Sequence, residues 1–236
     1  MNLSKAILHE DDLGYGDPET YYAKFYDCLM PPANKNSFFR YVHKAMERPY
    51  PANERYSDVI EVGAGDGNHF EWVRHEFTRY ALTDLREDSV KKASASFADD
   101  ARVTCSVADA QDLHYDDQSF DRLIAACLLI HLPDPEKALN EWRRVVRTDG
   151  VVTFYVPTEA PLLHIARRLT IARAAKRNGY RGYDLMIARE HLHRSLALDR
   201  IIRHSFRKDR LTCSGWPFRS SPLAARVFTV YHARIL

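Results

Sequence analysis

The sequence predicts an α/β fold, a mostly parallel sheet with helices on both faces, from three observations. Between residues 58 and 157, apolar strand-like runs alternate with helix-like segments in the rhythm of βαβ units. The first run, Asp58-Val59-Ile60-Glu61-Val62, flows directly into Gly63-Ala64-Gly65-Asp66-Gly67, a turn that only glycine-rich chain makes easily. The chain has 236 residues, 45% of them apolar, which suffices for one large α/β domain and argues against disorder.

Residues 1–50 read as helical and aromatic, with Tyr21, Tyr22, Phe25, Tyr26, Phe38, Phe39 and Tyr41; an amphipathic helix pair burying its rings accounts for most of them. Five strands follow, near 58–62, 80–84, 102–106, 121–127 and 150–156. The helices between them are expected to start near Asn68, Asp88, Gln111 (short or irregular) and Pro135. After the fifth strand, Leu162, Ile165, Ala166, Leu169 and Ala172 recur at helical spacing among Arg167, Arg168, Arg173, Lys176 and Arg177. Residues 178–183 read as a loop, 196–206 as the last helix, and 210–214 and 226–233 as two closing strands, the second alternating Val227-x-Thr229-x-Tyr231.

The net charge of +2 hides a split. Residues 1–157 carry 18 Lys and Arg against 27 Asp and Glu; residues 158–236 carry 16 against 5. The basic half calls for an acidic partner. Cysteines 28, 105, 127 and 213 are scattered, which suggests reduced thiols rather than a disulfide frame or a zinc site. No His-x-x-x-His spacing supports a metal centre. The first ten residues have no long apolar run and no stretch is apolar enough to span a bilayer, so a cytoplasmic location is expected. The basic amphipathic run 161–177 could rest on an anionic membrane surface at the inner face.

The glycine loop lets backbone approach a nucleotide-like ligand. Asp84, 17 residues after Gly67 at the end of the second strand, can accept hydrogen bonds from ribose hydroxyls. The spacing Gly-x-Gly-x-Gly is not the Gly-x-Gly-x-x-Gly of the dinucleotide fingerprint. Asp109 adds a third acid after a third strand, and acids after three consecutive strands suit the adenine, ribose and amino-acid parts of S-adenosylmethionine (SAM).

Four ordered pieces make the resemblance specific: IEVGAGDG (60–67), LTDLRED (82–88), the run 107–139 and EWRRVVRTDGVVTFYVP (141–157). On these the chain resembles the class I SAM-dependent methyltransferases of the small-molecule, type 11-like kind. The resemblance implies one domain over 1–236 with a Rossmann-like seven-stranded methyltransferase sheet. Its parts are an N-terminal helical lid (1–50), a SAM-binding core (58–157), a substrate-binding helical insertion after strand five (158–195) and a closing helix and strands (196–236). By position, Glu61 anchors the loop; Gly63, Ala64 and Gly65 line the methionine portion; Asp84 and Leu85 hold the ribose; Asp109 and Ala110 hold the adenine. Cys127 and Leu128 pass close to the cofactor, and Tyr22 and Tyr26 reach it from the lid. Thr148-Asp149-Gly150 departs from the family's Pro-Gly-Gly at a structural turn.

For methyl transfer to oxygen the chain must align the acceptor and remove a proton, which suits histidine near neutral pH. The candidates are His131, after strand four, and His191, with Glu190 to orient it; His193 is two residues on and cannot share its helix face. His69 reads as a cap or a solvent-facing residue. Arg181, Arg189 and Arg194, with Arg167 and Arg168, suit a phosphate or carboxylate. A looser resemblance of the tail, from Tyr183-Asp184-Leu185 to Trp216-Pro217-Phe218, to methyltransferases of cell-surface polysaccharide synthesis implies a sugar on a phosphate-bearing or lipid-linked carrier. Two other readings stand beside this. An RNA or DNA methyltransferase would use the basic half, but the chain has Ala126-Cys127-Leu128-Leu129 where base amino-methylases carry Asn/Asp-Pro-Pro-Tyr/Phe, and it lacks a Pro-Cys nucleophile. A SAM-binding partner protein without catalysis would need only the loop.

Overall fold

The computed structural model describes residues 16–24, 37–158, 169–217, 222–223 and 226–236. In chain order the elements are α1 (Pro18–Lys24), α2 (Ser37–Glu47), β1 (Asp58–Val62), β2 (Arg79–Asp84), α3 (Glu87–Ser96), β3 (Val103–Val107), β4 (Phe120–Ala126), α4 (Pro135–Val145), β5 (Val146–Pro157), α5 (Ile171–Arg177), α6 (Tyr183–Glu190), α7 (Ser195–Ser205), β6 (Arg210–Trp216) and β7 (Phe228–Arg234). They fall into two units, residues 1–31 with 161–192 and residues 32–160 with 193–236.

The second unit is a seven-stranded sheet in the order β3-β2-β1-β4-β5-β7-β6, parallel except for β7, which runs antiparallel to both its neighbours. Every residue of β1 is buried, as expected of a central parallel strand covered on both faces. On one face Trp142 of α4 and Leu198, Ile202 and Phe206 at α7 pack on Phe154 and Tyr231. On the other, Val42 and Met46 of α2 and Ala93 of α3 pack on Val59, Tyr80, Leu82 and Ile124. Helix α4 starts where the sequence marks it: the Asp134 side chain accepts from the Lys137 amide at 2.9 Å and Pro135 fills the first turn.

The other unit is small. Tyr21 of α1 packs edge-on against Tyr183 of α6 and at a tilt against Tyr180, with Ala175 and Met186 closing the cluster. The Tyr180 hydroxyl donates to the Asp17 carbonyl, and Arg189 donates to the Gly16 carbonyl.

The structure corrects the expected helix after the glycine loop. Only a single 3₁₀ turn, Phe70–Trp72, forms there, and the chain then returns extended. Residues 68–78 are eleven in all, and five strand residues span about 17 Å. A helix at about 1.5 Å per residue would use the whole linker and leave nothing for the turn back. Near Gln111 there is likewise a turn and no helix, because the Asp109 carboxylate accepts from the Gln111 amide at 2.8 Å. Helix α6 lies beyond the expected loop.

Beneath the missing helix lies a buried polar cluster. Arg122, fully buried on β4, forms a two-pronged pair with Glu47 of α2 at 2.6 and 2.9 Å. The guanidinium also stacks on Tyr50 at 3.8 Å. The Tyr50 hydroxyl reaches Thr153 and His232. Burial, first among the causes, holds His43 down to about 3 and His75 and His232 to about 4; it pushes Glu61 up to about 7. In the unfolded chain the imidazoles take up protons near pH 6.5. Their stabilisation is complete above that pH and is lost as pH falls towards 4; Glu61 opposes them, since its folded form keeps a proton the unfolded form gives up. With three groups against one, acidification from pH 7 to 5 is expected to lower the urea midpoint. The limit is a net uptake of about two protons, each worth about 1.4 kcal/mol per pH unit. A midpoint constant or rising over that range contradicts this balance.

Candidate active site

The carboxyl ends of the parallel strands gather on one edge of the sheet, where ligands of such folds bind. The glycine loop leaves β1 there. Gly65 has φ +56°, and a Cβ on it would meet no atom within 4 Å, so the residue forms the wall of an open cradle. Gly63, at φ +63°, is pressed from behind: a Cβ there would come within 2.7 Å of the Leu128 side chain. Buried Ala64 donates its amide to the Thr83 carbonyl, fixing the loop to β2.

Asp84 clamps the loop from the side. One carboxylate oxygen accepts from the Gly65 amide at 2.9 Å and the other from the Arg86 amide at 2.8 Å. Each oxygen keeps a lone pair for a ligand hydroxyl. Glu61, the expected loop anchor, is buried and accepts from the Tyr80 hydroxyl at 2.8 Å. The side chain that bonds the loop amide is thus Asp84.

Leu85 is 68% exposed and Val107 51% exposed, at the ends of neighbouring strands. An apolar pair beside an acid can take the face of a flat ring. Asp109 and Ala110 follow β3 and are held in place, since the Ala110 carbonyl accepts from Trp142 Nε1 at 2.9 Å. Cys127, at the end of β4, has φ +60°, a strained conformation for a residue with a side chain, and such strain concentrates at functional positions. Burial pushes its thiol up to about 11, which disfavours the thiolate form. Leu128 backs the loop, and His131 closes the 3₁₀ turn Leu129–His131 just after it. Among the described residues no group of three or more His, Cys, Asp or Glu could hold a metal ion.

The remaining candidates lie elsewhere. His191 is the residue after α6, and Arg181 and Arg189 are in the same smaller unit; Arg189 is engaged with the Gly16 carbonyl. Tyr22 falls within α1, and Tyr26, Arg167 and Arg168 lie outside the described residues. Arg194, exposed, precedes α7 in the sheet unit. His193 donates from Nε2 to the Leu132 carbonyl at 2.9 Å, so it ties down the loop after β4. His69 stands at the N-cap position of the 3₁₀ turn, but its side chain makes no capping bond and does not face solvent: it is 1% exposed and bonded to Glu47 and His43. The signal missed in the sequence was Arg122, a charge inside an apolar strand that had to find a buried partner.

The cradle fits a nucleoside with an amino-acid arm: open backbone at Gly65, an acid at a strand end, and an apolar pair for a base. Residues 60–154 match the family described as Methyltransferase domain. Over those residues the chain is similar to the class I SAM-dependent methyltransferase domains. The methyltransferase GfsG of Streptomyces halstedii is 32% identical over 100 residues, covering 39% of this chain and 34% of that protein. A phosphatidylethanolamine N-methyltransferase of Cereibacter sphaeroides is 28% identical over 127 residues, 50% of this chain and 60% of its own length. The chain thus spans between a third and three fifths of these relatives. The solved N-methyltransferase NodS of Bradyrhizobium japonicum shares the methyltransferase fold with a TM-score of 0.59 at 14% identity, over 85% of this chain and 97% of NodS.

Proposed function

We propose that this methyltransferase moves the methyl group of SAM to an oxygen of a small or carrier-linked, anionic acceptor, with a histidine taking the proton. The observation that carries the cofactor half is the open face of Gly65 beside the Asp84 carboxylate. When bound, SAM supplies an electrophilic methyl on a sulfonium. The chain's own part is to hold and orient: Asp84 and Leu85 the ribose, Asp109, Ala110 and Val107 the adenine, Gly63 to Gly65 the amino-acid arm.

An alcohol or sugar hydroxyl must lose its proton during transfer. His131 is the base we favour, because it belongs to the unit that carries the cradle and follows Leu128 by one turn. His191 is the second candidate. The basic character of residues 158–236 supports a phosphate-bearing acceptor. The relative named for phosphatidylethanolamine supports a lipid or lipid-linked one. For such an acceptor the protein works at the inner membrane face; among the described residues no helix is long and apolar enough to cross a membrane.

Calorimetric titration with S-adenosylhomocysteine (SAH), with NADH as control, tests the cofactor; saturable binding of SAH alone is expected. Labelled methyl transfer to sugar, phospho-sugar and lipid-linked acceptors then tests the rest. His131→Ala is expected to lose turnover by about 100-fold with SAH affinity retained. Normal turnover in both His131→Ala and His191→Ala overturns the base assignment.

A further inference from the structure

A strand, glycine loop and helix unit ordinarily steadies its loop through the helix that follows. Here that helix is replaced by one 3₁₀ turn, yet the loop has to hold the geometry at Gly65. The residue that enters the protein interior after the loop is His69, two positions beyond Gly67. Its Nε2 lies 2.8 Å from Glu47 Oε1 and its Nδ1 2.7 Å from His43 Nδ1. His43 and Glu47 are one helical turn apart on the same face of α2.

We propose that Glu47 and His69 are positioning residues for the cofactor: through them α2, clamped to β4 by Arg122, fixes the end of the glycine loop. This rests on the SAM reading of the cradle.

The proton arrangement supports the tether. The Arg122 guanidinium holds Glu47 near 2, so its carboxylate only accepts, and His69 Nε2 must be the donor. Arg122 then occupies both Glu47 oxygens from the other side, leaving the carboxylate no freedom to follow a moving loop. Neighbouring contacts hold the same segment. Phe70 packs on Phe77, Tyr80 and Phe97, and Trp72 stacks on the His43 ring. A Cβ on Gly67 would collide with Phe97, so the loop sits hard against that cluster. The cluster is apolar and orients little; the hydrogen bonds of His69 supply direction.

The test uses the full chain. His69→Leu cuts the tether but leaves the Arg122–Glu47 pair intact, so it folds more readily than Glu47→Gln, which strands a buried guanidinium. His69→Gln keeps a nitrogen donor where Nε2 stood. The readouts are SAH affinity by calorimetry and amide hydrogen exchange of the ligand-free protein over residues 63–72 and over α4. For His69→Leu we expect SAH binding about tenfold weaker, the loss of one hydrogen bond to a charged group, and faster exchange confined to residues 63–72. His69→Gln is expected to restore affinity to within about threefold, as a donor-equivalent replacement. Wild-type affinity in a folded His69→Leu, or exchange that rises equally in α4, overturns the positioning role. A wild-type protein that does not bind SAH overturns the cofactor reading itself.

Discussion

Gly65→Val is expected to weaken SAH binding by about 100-fold, on the order of 3 kcal/mol. Two effects act there. A side chain at φ +56° costs roughly 1–2 kcal/mol of backbone strain, which lowers stability. The isopropyl group also stands in the open space where the ligand is to lie, which lowers affinity. Gly179 separates the two. It has φ +89° and equally open surroundings, but sits after α5, away from the glycine loop in sequence. Gly179→Val is expected to lower the melting temperature comparably while leaving SAH affinity unchanged. Equal affinities in the two variants would show that the Gly65 face is not the cradle.

Asp84→Ala is expected to cost 10- to 100-fold in SAH affinity, about 1–3 kcal/mol. The residue has one task in the structure, holding the Gly65 amide, and a second in the proposed site, meeting the ribose. Asp84→Asn separates them poorly. Both oxygens now accept from backbone amides, so a carboxamide must point its NH₂ at one donor or the other. We therefore expect the asparagine variant to be nearly as weak as alanine. Wild-type affinity in a folded Asp84→Ala removes Asp84 from the cofactor site.

What the sequence made legible follows the range of the interactions. The central strands fall within a residue or so of their expected bounds, because strands buried on both faces are predominantly apolar. Strand β5 starts at Val146, four residues before its expected start. Asp149 takes φ +64° inside it, and a Thr-Asp-Gly run reads locally as a turn. The composition of residues 68–78 suits a helix; only the length of the return path forbids one. The cradle residues lie at strand ends, where local patterning points. The cluster behind the loop joins His69 to Glu47 across 22 residues and Arg122 to Glu47 across 75, separations no local pattern encodes.

The place of β7 has a consequence for how the chain is made. Strand β5 lies in the middle of the finished sheet, flanked by β4, which precedes it closely, and by β7, which follows after a further 70 residues. While those residues are being synthesised, one whole edge of β5 has no partner. The run Val151-Val152-Thr153-Phe154-Tyr155-Val156 along that edge is uncharged, free of proline and rich in β-branched and aromatic residues. Pairing of β7 with it is therefore the step that retires an adhesive nascent surface, and the antiparallel β6–β7 hairpin is, in the living cell, as much a shield for an unfinished chain as a part of the finished one.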